Sequence, residues 1–545
     1  MTRLAWLAPL ALAACGTAPS APEASGGWTP EVLSAQTAFL PDYSYAGYRW
    51  SDEPLPTPAA PEATILRATD HGVVADDGRD DTAGIRAAVA AASGVDGWAV
   101  VELPAGEVEL RNLLFIERGE FVLRGAGSGD GGTVLNLPVP MAEMDQPQIM
   151  RDLNEYLIAN DKTVKSGEYF TPYSWTGGIV WTRVPEGTPA ASNDPLASGA
   201  RGRRGEHTFT VDGVGGLREG EVVRLGWFSR EGADSPVLQH IYGMETGLDG
   251  SRLWEKPDVP LVTQEVTITD IAGTTVTVHE PLLHDLRPEW SAPLAPEARL
   301  EHVGIEGIRF QFPAGEYAGH HLEPGYNAIY LTDLRDAWVR DVAFVNADSG
   351  ILSDDCANLT IRDVRIEGRV GHYGVHFGDV QRALLTDFEA TGWMEHAVSF
   401  NTGSRQSVIT NGTIVSPQLD QHRGANHTNL FDDLRLTEPL AEERVFTHGG
   451  AGYWGPTHGV ANAFWNVHME MTAPETSGEG PLVLDGIKAS GEGTAFVVGF
   501  TSNVPIEIDY PGAIVEGTNR PGLAIPSLYR YQLARRQATR ATASR

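Results

Sequence analysis

A solenoid of stacked parallel strands is the fold this 545-residue sequence predicts, and two observations predict it. Ile305, Val339, Ile361, Leu385 and Ile409 stand in equivalent contexts: "VGIEGIRF", "WVRDVAFV", "LTIRDVRI", "ALLTDFEA" and "SVITNGTI". The last three intervals are 22, 24 and 24 residues, one coil each, and the first is lengthened by an insertion near "GEYAGHHLEP". A second strand repeats in step: "NAIYL", "SGILS", "YGVHF" and "HAVSF". Each coil hides apolar side chains inward and stacks on its neighbours, so such a repeat buries itself. Evenly spaced antiparallel strands would not keep two strands in register through successive coils. The class is therefore all-β, a parallel β-helix with an N-terminal capping helix and a β-rich insertion.

Taken from the start, residues 1–14 have the form of a signal peptide: Arg3 precedes the apolar run Leu4–Leu12, which is too short to span a bilayer. The run ends in "LAAC", which resembles the bacterial lipoprotein cleavage box with Cys15 as the lipidated residue. Gly16 follows the cysteine, so the expected location is the bacterial cell envelope, as an outer-membrane lipoprotein facing the periplasm or the surface. Residues 15–27 form a small, polar tether. Residues 28–66 are Pro-rich and irregular.

Residues 67–140 open the solenoid. Asp80 or Asp81 caps a helix from Thr82 to Ala92, whose apolar face is Ile85, Ala88, Val89 and Ala92. Short strands in "WAVVELPAGEVEL" and "FVLRGAG" follow. The stretch carrying Asp70, Gly72, Asp77, Gly78, Asp80, Asp81, Thr82, Pro104 and Gly106 resembles the opening of the pectate-lyase-like (pectin-lyase-fold) superfamily. That resemblance implies a right-handed parallel β-helix, and it says little about chemistry, because one fold hosts many activities.

Between 141 and 300 the repeat is lost; this is the expected β-rich insertion, with one helix in "QIMRDLNEYLIANDKTVKSGEYF". Residues 301–525 are the main β-helix, and 526–545 a basic tail that can begin as a capping helix. Asp+Glu number 72 against Lys+Arg 40, a net charge of −32, which excludes broad nucleic-acid binding. Only four lysines occur, so positive charge rests on arginine, which suits a bidentate grip on carboxylate or sulfate. Beyond Cys15 the only cysteine is Cys356, so no internal disulfide is expected in the mature fold.

Aligning Ile329, Ile351, Val375 and Val398 places Tyr326, Asp348, His372 and Glu395 at one level, three residues earlier. Asn327, Ser349, Tyr373 and His396 occupy the next level. Adjacent coils lie ~4.8 Å apart, so these side chains should form a polar ladder. "LDQHRGANHTNL" brings His422, Arg423, Asn426, His427 and Asn429. If Leu430 is equivalent to Val398, His427 extends the ladder. His320 and His321 come from the other side, and ten of the 16 histidines lie between 320 and 470. Stacked polar residues at solenoid turns often only satisfy backbone groups; their concentration in loops that interrupt the repeat favours function.

The region is also similar to a bacterial branch of the β-helix superfamily. The matching residues are Gly319, His320, Glu323, Gly325, Tyr326 and Asn327; His422, Arg423, Gly424, Asn429 and Leu430; and Trp465 and Asn466. This resemblance implies a carbohydrate-active enzyme. Two chemistries compete. In β-elimination from a uronate-containing polysaccharide, Arg423 with Asn426 or Asn429 neutralises the carboxylate. His372, His422 or His427 serves as base, and Tyr373 or Tyr326 as acid. His321, Tyr326, Asn327, His396 and Trp393 complete the substrate-binding set. In hydrolysis, Asp348 and Glu395 form the carboxyl pair. Asn346, Asp348, Asp354, Asp355, Gly371 and His372 resemble polygalacturonase motifs, although Asn-x-Asp and Asp-Asp stand closer together than in that family. A non-catalytic glycan-binding solenoid is the third reading, with Trp393, Tyr453, Trp454 and Trp465 as platforms. No metal is required by these schemes. Calcium fits only as an optional ion at Asp348, Asp354 and Asp355. Zinc on His372 and His376 is disfavoured, because i and i+4 on a strand lie ~13 Å apart.

Overall fold

The structure is a computed structural model. It describes residues 40–543 except 189–194, 230–234, 243–258, 291–292, 417, 439–444, 447–456, 473–479 and 486–494. The expected signal peptide, Cys15 and tether, and Tyr453 and Trp454, lie outside the described residues.

The chain winds as a parallel β-helix. Its long sheet stacks Val303–Gln311, Leu334–Val345, Cys356–Glu367, Leu384–Ala390, Val408–Ile414, Leu430–Glu438 and Ala463–Met471, all parallel. The register is the one the repeat predicts: Ile305 pairs with Val339, then Ile361, Leu385 and Ile409. All five are buried in the central core. In each long strand from Leu334–Val345 onward, the residue at one equivalent position bends the backbone into the left-handed region. These are Asp341, Asp363, Asp387, Asn411, Asp433 and Asn466 in successive coils. Short polar side chains tolerate that conformation better than other L residues do, so the bend recurs where the sequence supplies Asp or Asn. Phe377, Phe400, Phe431 and Phe464 then stack inside through adjacent coils.

The second sheet runs from Leu114–Ile116 through Val180–Thr182, Asn327–Thr332, Ser349–Asp354, Gly371–Gly378 and Met394–Asn401 to Leu419–His422. Val180–Thr182 falls inside the stretch where the sequence shows no repeat. It is nonetheless a solenoid strand, pairing with Leu114–Ile116 and with Ile329–Leu331. Three residues are too few to display a period.

The helix Thr82–Ala92 forms as expected, burying Ile85, Ala88 and Ala92 against the first strands. Asp80 accepts the Thr82 amide, while Asp81 binds the amides of Val74 and Glu109, tying the helix entry to two neighbouring segments. The insertion carries an antiparallel sheet built from strands between Arg201 and Pro296, with its own core around Val223, Leu225, Trp227, Ile241 and Val266.

The basic tail is the helix Leu528–Ala543. It is fastened by Asp432, whose carboxylate accepts from Leu528 N, Ser527 Oγ and Thr410 Oγ1 at 2.8, 2.5 and 2.9 Å. Burial pushes the Asp432 carboxyl up to about 7, against those three hydrogen bonds. A carboxyl raised on folding contributes stability that is full below its unfolded value of ~3.9 and is lost as pH rises through its folded value. Asp432→Asn should therefore gain stability relative to wild type between pH ~4 and ~7. Unfolding midpoints measured across that range check this; parallel curves would refute the assignment.

Candidate functional site

The site is built on the outer part of the second sheet and on the loop that precedes Asn327–Thr332. Ser349 pairs with Tyr373 and Tyr373 with His396, so the predicted levels hold in the backbone. Tyr373 is stacked between His372 and His396, with ring centroids 4.2 and 4.8 Å away. His372 lies 4.6 Å from the His320 ring and 5.5 Å from that of His321. His396 lies 5.1 Å from His422. Five imidazoles and a phenol thus share one small volume.

Three carboxylates organise it. Glu323 is fully buried and accepts from Tyr317 Oη at 2.5 Å, Ser174 Oγ at 2.7 Å and His321 N at 3.1 Å. Its Oε1 also lies 3.1 Å from His372 Nδ1, without the alignment of a hydrogen bond. Asp348 accepts from the amides of Gly325 and Tyr326 and from Arg369 at 2.6 Å. These two residues pin the loop that carries His320 and His321. Asp420 accepts from Ser399 Oγ at 2.5 Å and lies 3.4 Å from His422 Nδ1 and 3.5 Å from His396 Nδ1.

Burial, reinforced by neighbouring imidazoles, holds His372 well below the usual histidine range and His321 at about 3. Burial lowers His376 to about 3 and raises the Tyr373 phenol, which the Asp420 charge raises further. The Arg423 charge is close enough to act on both Tyr373 and His376. Burial also raises Asp348, although Arg369 opposes it.

The expected residues therefore divide. His321, His372, Tyr373, His396, His422 and Arg423 come together. Glu395 is half-buried, and its charge reaches His320 and Tyr317. Trp393 is half-buried one turn away, its carbonyl accepting from Gly371 N. Tyr326 is half-buried between Phe312 and Arg369.

Several others are corrected. Leu419, not Leu430, is equivalent to Val398, and Leu430 belongs to the long sheet. His427 therefore leaves the ladder; it is fully buried, and its Nε2 meets His284 Nε2 of the insertion at 2.8 Å. Asn426 joins the carbonyls of Arg423 and Thr457, fixing the loop instead of meeting a substrate. Asn429 binds Ser404 O and Ser407 N, and Asn327 binds the carbonyls of Tyr173 and Gly177. All three are fully buried backbone ties. Asp348 is likewise consumed by two amides and Arg369, so it is not an available partner for Glu395. It also stands at the opposite end of its strand from Asp354 and Asp355, which breaks up the calcium set. Trp465 is fully buried, donating to Ile525 O, and offers no platform.

Sequence reasoning gave no role to Asp420, Glu323 and Tyr317. Asp420 was legible: on a strand it shares a face with His422, two residues on. A separate cavity of about 660 Å³, lined by Tyr45, His207, His279, Arg536 and Arg540 among others, contains none of the expected residues.

No family model matches this chain, and no curated protein matches it. Solved structures do. The tailspike gp61 of Pseudomonas phage phi297 is 12% identical with a TM-score of 0.45, over 84% of this chain and 76% of that one. The A-module of the mannuronan C-5 epimerase AlgE4 from Azotobacter vinelandii is 12% identical with a TM-score of 0.37, over 83% and 95%. An exopolygalacturonase from Thermotoga maritima is 11% identical with a TM-score of 0.39, over 85% and 94%. The parallel β-helix of this chain rests on its own strand pairing.

Proposed function

We propose that this protein is an envelope enzyme, lipid-anchored through Cys15, that depolymerises an acidic, uronate-containing polysaccharide by β-elimination. The observation that carries the reading is that the His422–Asp420 pair and Tyr373 lie on strands of the second sheet, with Arg423 directly after its strand Leu419–His422 and close enough for its charge to act on Tyr373. Arg423 would bind the uronate carboxylate and stabilise the charge that develops on it. Asp420 faces Nδ1 of His422 and leaves Nε2 to act as base. Nε2 takes the C5 proton, and the C5–H electron pair becomes the C4–C5 double bond. The C4–O4 bond breaks with its electrons on oxygen, which takes a proton from Tyr373. Transfer of a proton from the His422 imidazolium to the Tyr373 phenolate would restore the starting state.

Hydrolysis by two carboxyl groups is the weaker reading, because Asp348 is sequestered. Incubation with uronate-containing, neutral and sulfated glycans distinguishes the two. Ultraviolet absorbance of unsaturated products and new reducing ends are expected to rise together on a uronate polymer. Reducing ends alone would replace elimination with hydrolysis.

A further inference from the structure

We propose that His320, His321 and His372 bind a divalent transition-metal ion, of which zinc is the best fit, in a three-histidine site with an open coordination position. One nitrogen from each ring lies within 4.8 Å of the others. A tetrahedral ion with bonds of ~2.0–2.1 Å needs nitrogens ~3.4 Å apart, a closure that small side-chain rotations supply.

The backbone is shaped for this arrangement. Consecutive residues on extended chain point to opposite sides. His321, however, sits in the left-handed region at φ +69°, which is uncommon for a residue other than glycine. That turn brings two consecutive imidazoles face to face, with ring centroids 3.9 Å apart and 33° between planes. A strained backbone that puts two ligand-type rings beside a third calls for a common partner.

The second observation is His372. It is fully buried, and neither of its ring nitrogens makes a hydrogen bond. Leaving buried polar atoms unsatisfied is costly. A metal on Nε2 would satisfy one of them. Glu323, 3.1 Å from Nδ1, stands where a carboxylate orients a metal-bound histidine through its other nitrogen. Glu323 is itself held by Tyr317 and Ser174, so this outer support is built in. His376, considered with His372 on sequence grounds, is not needed: the missing ligands come from the loop. Three neutral nitrogens suit zinc more than calcium, which takes oxygen ligands. A second trio, His396, Asp420 and His422, also lies within 4.8 Å and adjoins the first. The first is chosen because neither ring nitrogen of His372 has a hydrogen-bond partner, whereas Asp420 of the second trio already accepts from Ser399 Oγ.

The test uses the full-length purified protein, stripped with a chelator and titrated with zinc chloride by calorimetry. Metal content after dialysis is measured by mass spectrometry. About one zinc per chain is expected, and cobalt in its place should give the visible bands of a four-coordinate nitrogen site. His320→Ala and His321→Ala, both on the loop, should weaken binding roughly tenfold or more. His468→Ala, at a half-buried histidine of the long sheet outside the site, should leave binding unchanged, and so should Asp420→Asn. No stoichiometric binding, or binding lost in Asp420→Asn but retained in His320→Ala, would overturn the assignment. His372→Ala is not required, so a folding defect in that variant does not decide the outcome.

Discussion

Tyr373→Phe and His422→Ala are each expected to lower kcat on a uronate polymer by about 10²–10⁴-fold, the range for a positioned acid or base. Neither should unfold the protein. The phenyl ring of the first variant keeps its place between His372 and His396, and only the weak 3.5 Å contact from Asn401 Nδ2 is lost. His422 is partly exposed at the end of the last strand of its sheet, so truncation opens no sealed cavity. Added imidazole should restore part of the His422→Ala activity, because it can enter from solvent and take the C5 proton. It should do nothing for Tyr373→Phe. A merely structural role for His422 would not produce that difference. Near-normal turnover in both variants would remove elimination at this face.

Much of this arrangement was legible in the sequence. The coil length fixed the register of both sheets, because a solenoid pairs each strand with its equivalent one coil later. That is why the repeat alone sets Tyr373 and His396 side by side, as their pairing does. What failed was extension of the register past an interrupted coil. The segment after Ile414 supplies two strands, Leu419–His422 to one sheet and Leu430–Glu438 to the other. Only the second begins with the apolar pair that marks the repeat, so His427 was carried to the wrong level. The asparagines misled for a related reason. Asn327, Asn426 and Asn429 lie where the chain turns between sheets, and turns leave backbone groups that an amide side chain satisfies. Sequence shows the residue type and its concentration. It does not show which polar groups the backbone will claim first.

Glu265→Gln is the substitution expected to cost the fold most. Glu265 lies on the long strand Val262–Ala272 of the insertion, and it is fully buried. Arg335 of the solenoid and Arg299, just ahead of the strand Leu300–Glu301, both bind it, at 2.9 Å through each Nε. Burial alone would raise its carboxyl, but the two guanidinium groups outweigh that and hold it well below the usual carboxylate range. Its backbone amide donates to Gln381, a second tie to the solenoid. Removing the charge leaves two nearly buried cations short of a partner, a change worth about 3–5 kcal/mol when a buried pair is broken. Asp355 and Glu301 retain weaker claims on the arginines, which places the expected loss toward the lower end. A depressed carboxyl contributes stability above its unfolded value of ~4.3 that is lost as pH falls through its folded value. Wild type should therefore lose its advantage over Glu265→Gln only in acid, the reverse of the Asp432 case. The loss should also reach the site. Tyr242 of the insertion accepts from Ala425 N, two residues beyond Arg423. An insertion that lifts from the solenoid releases the loop that presents the guanidinium, so Glu265→Gln should raise KM for an acidic substrate before it lowers the unfolding midpoint below the assay temperature. Adding Arg335→Met to Glu265→Gln should recover part of the stability by removing one uncompensated cation. A double variant no more stable than the single one would show that shape, not charge, holds the insertion in place.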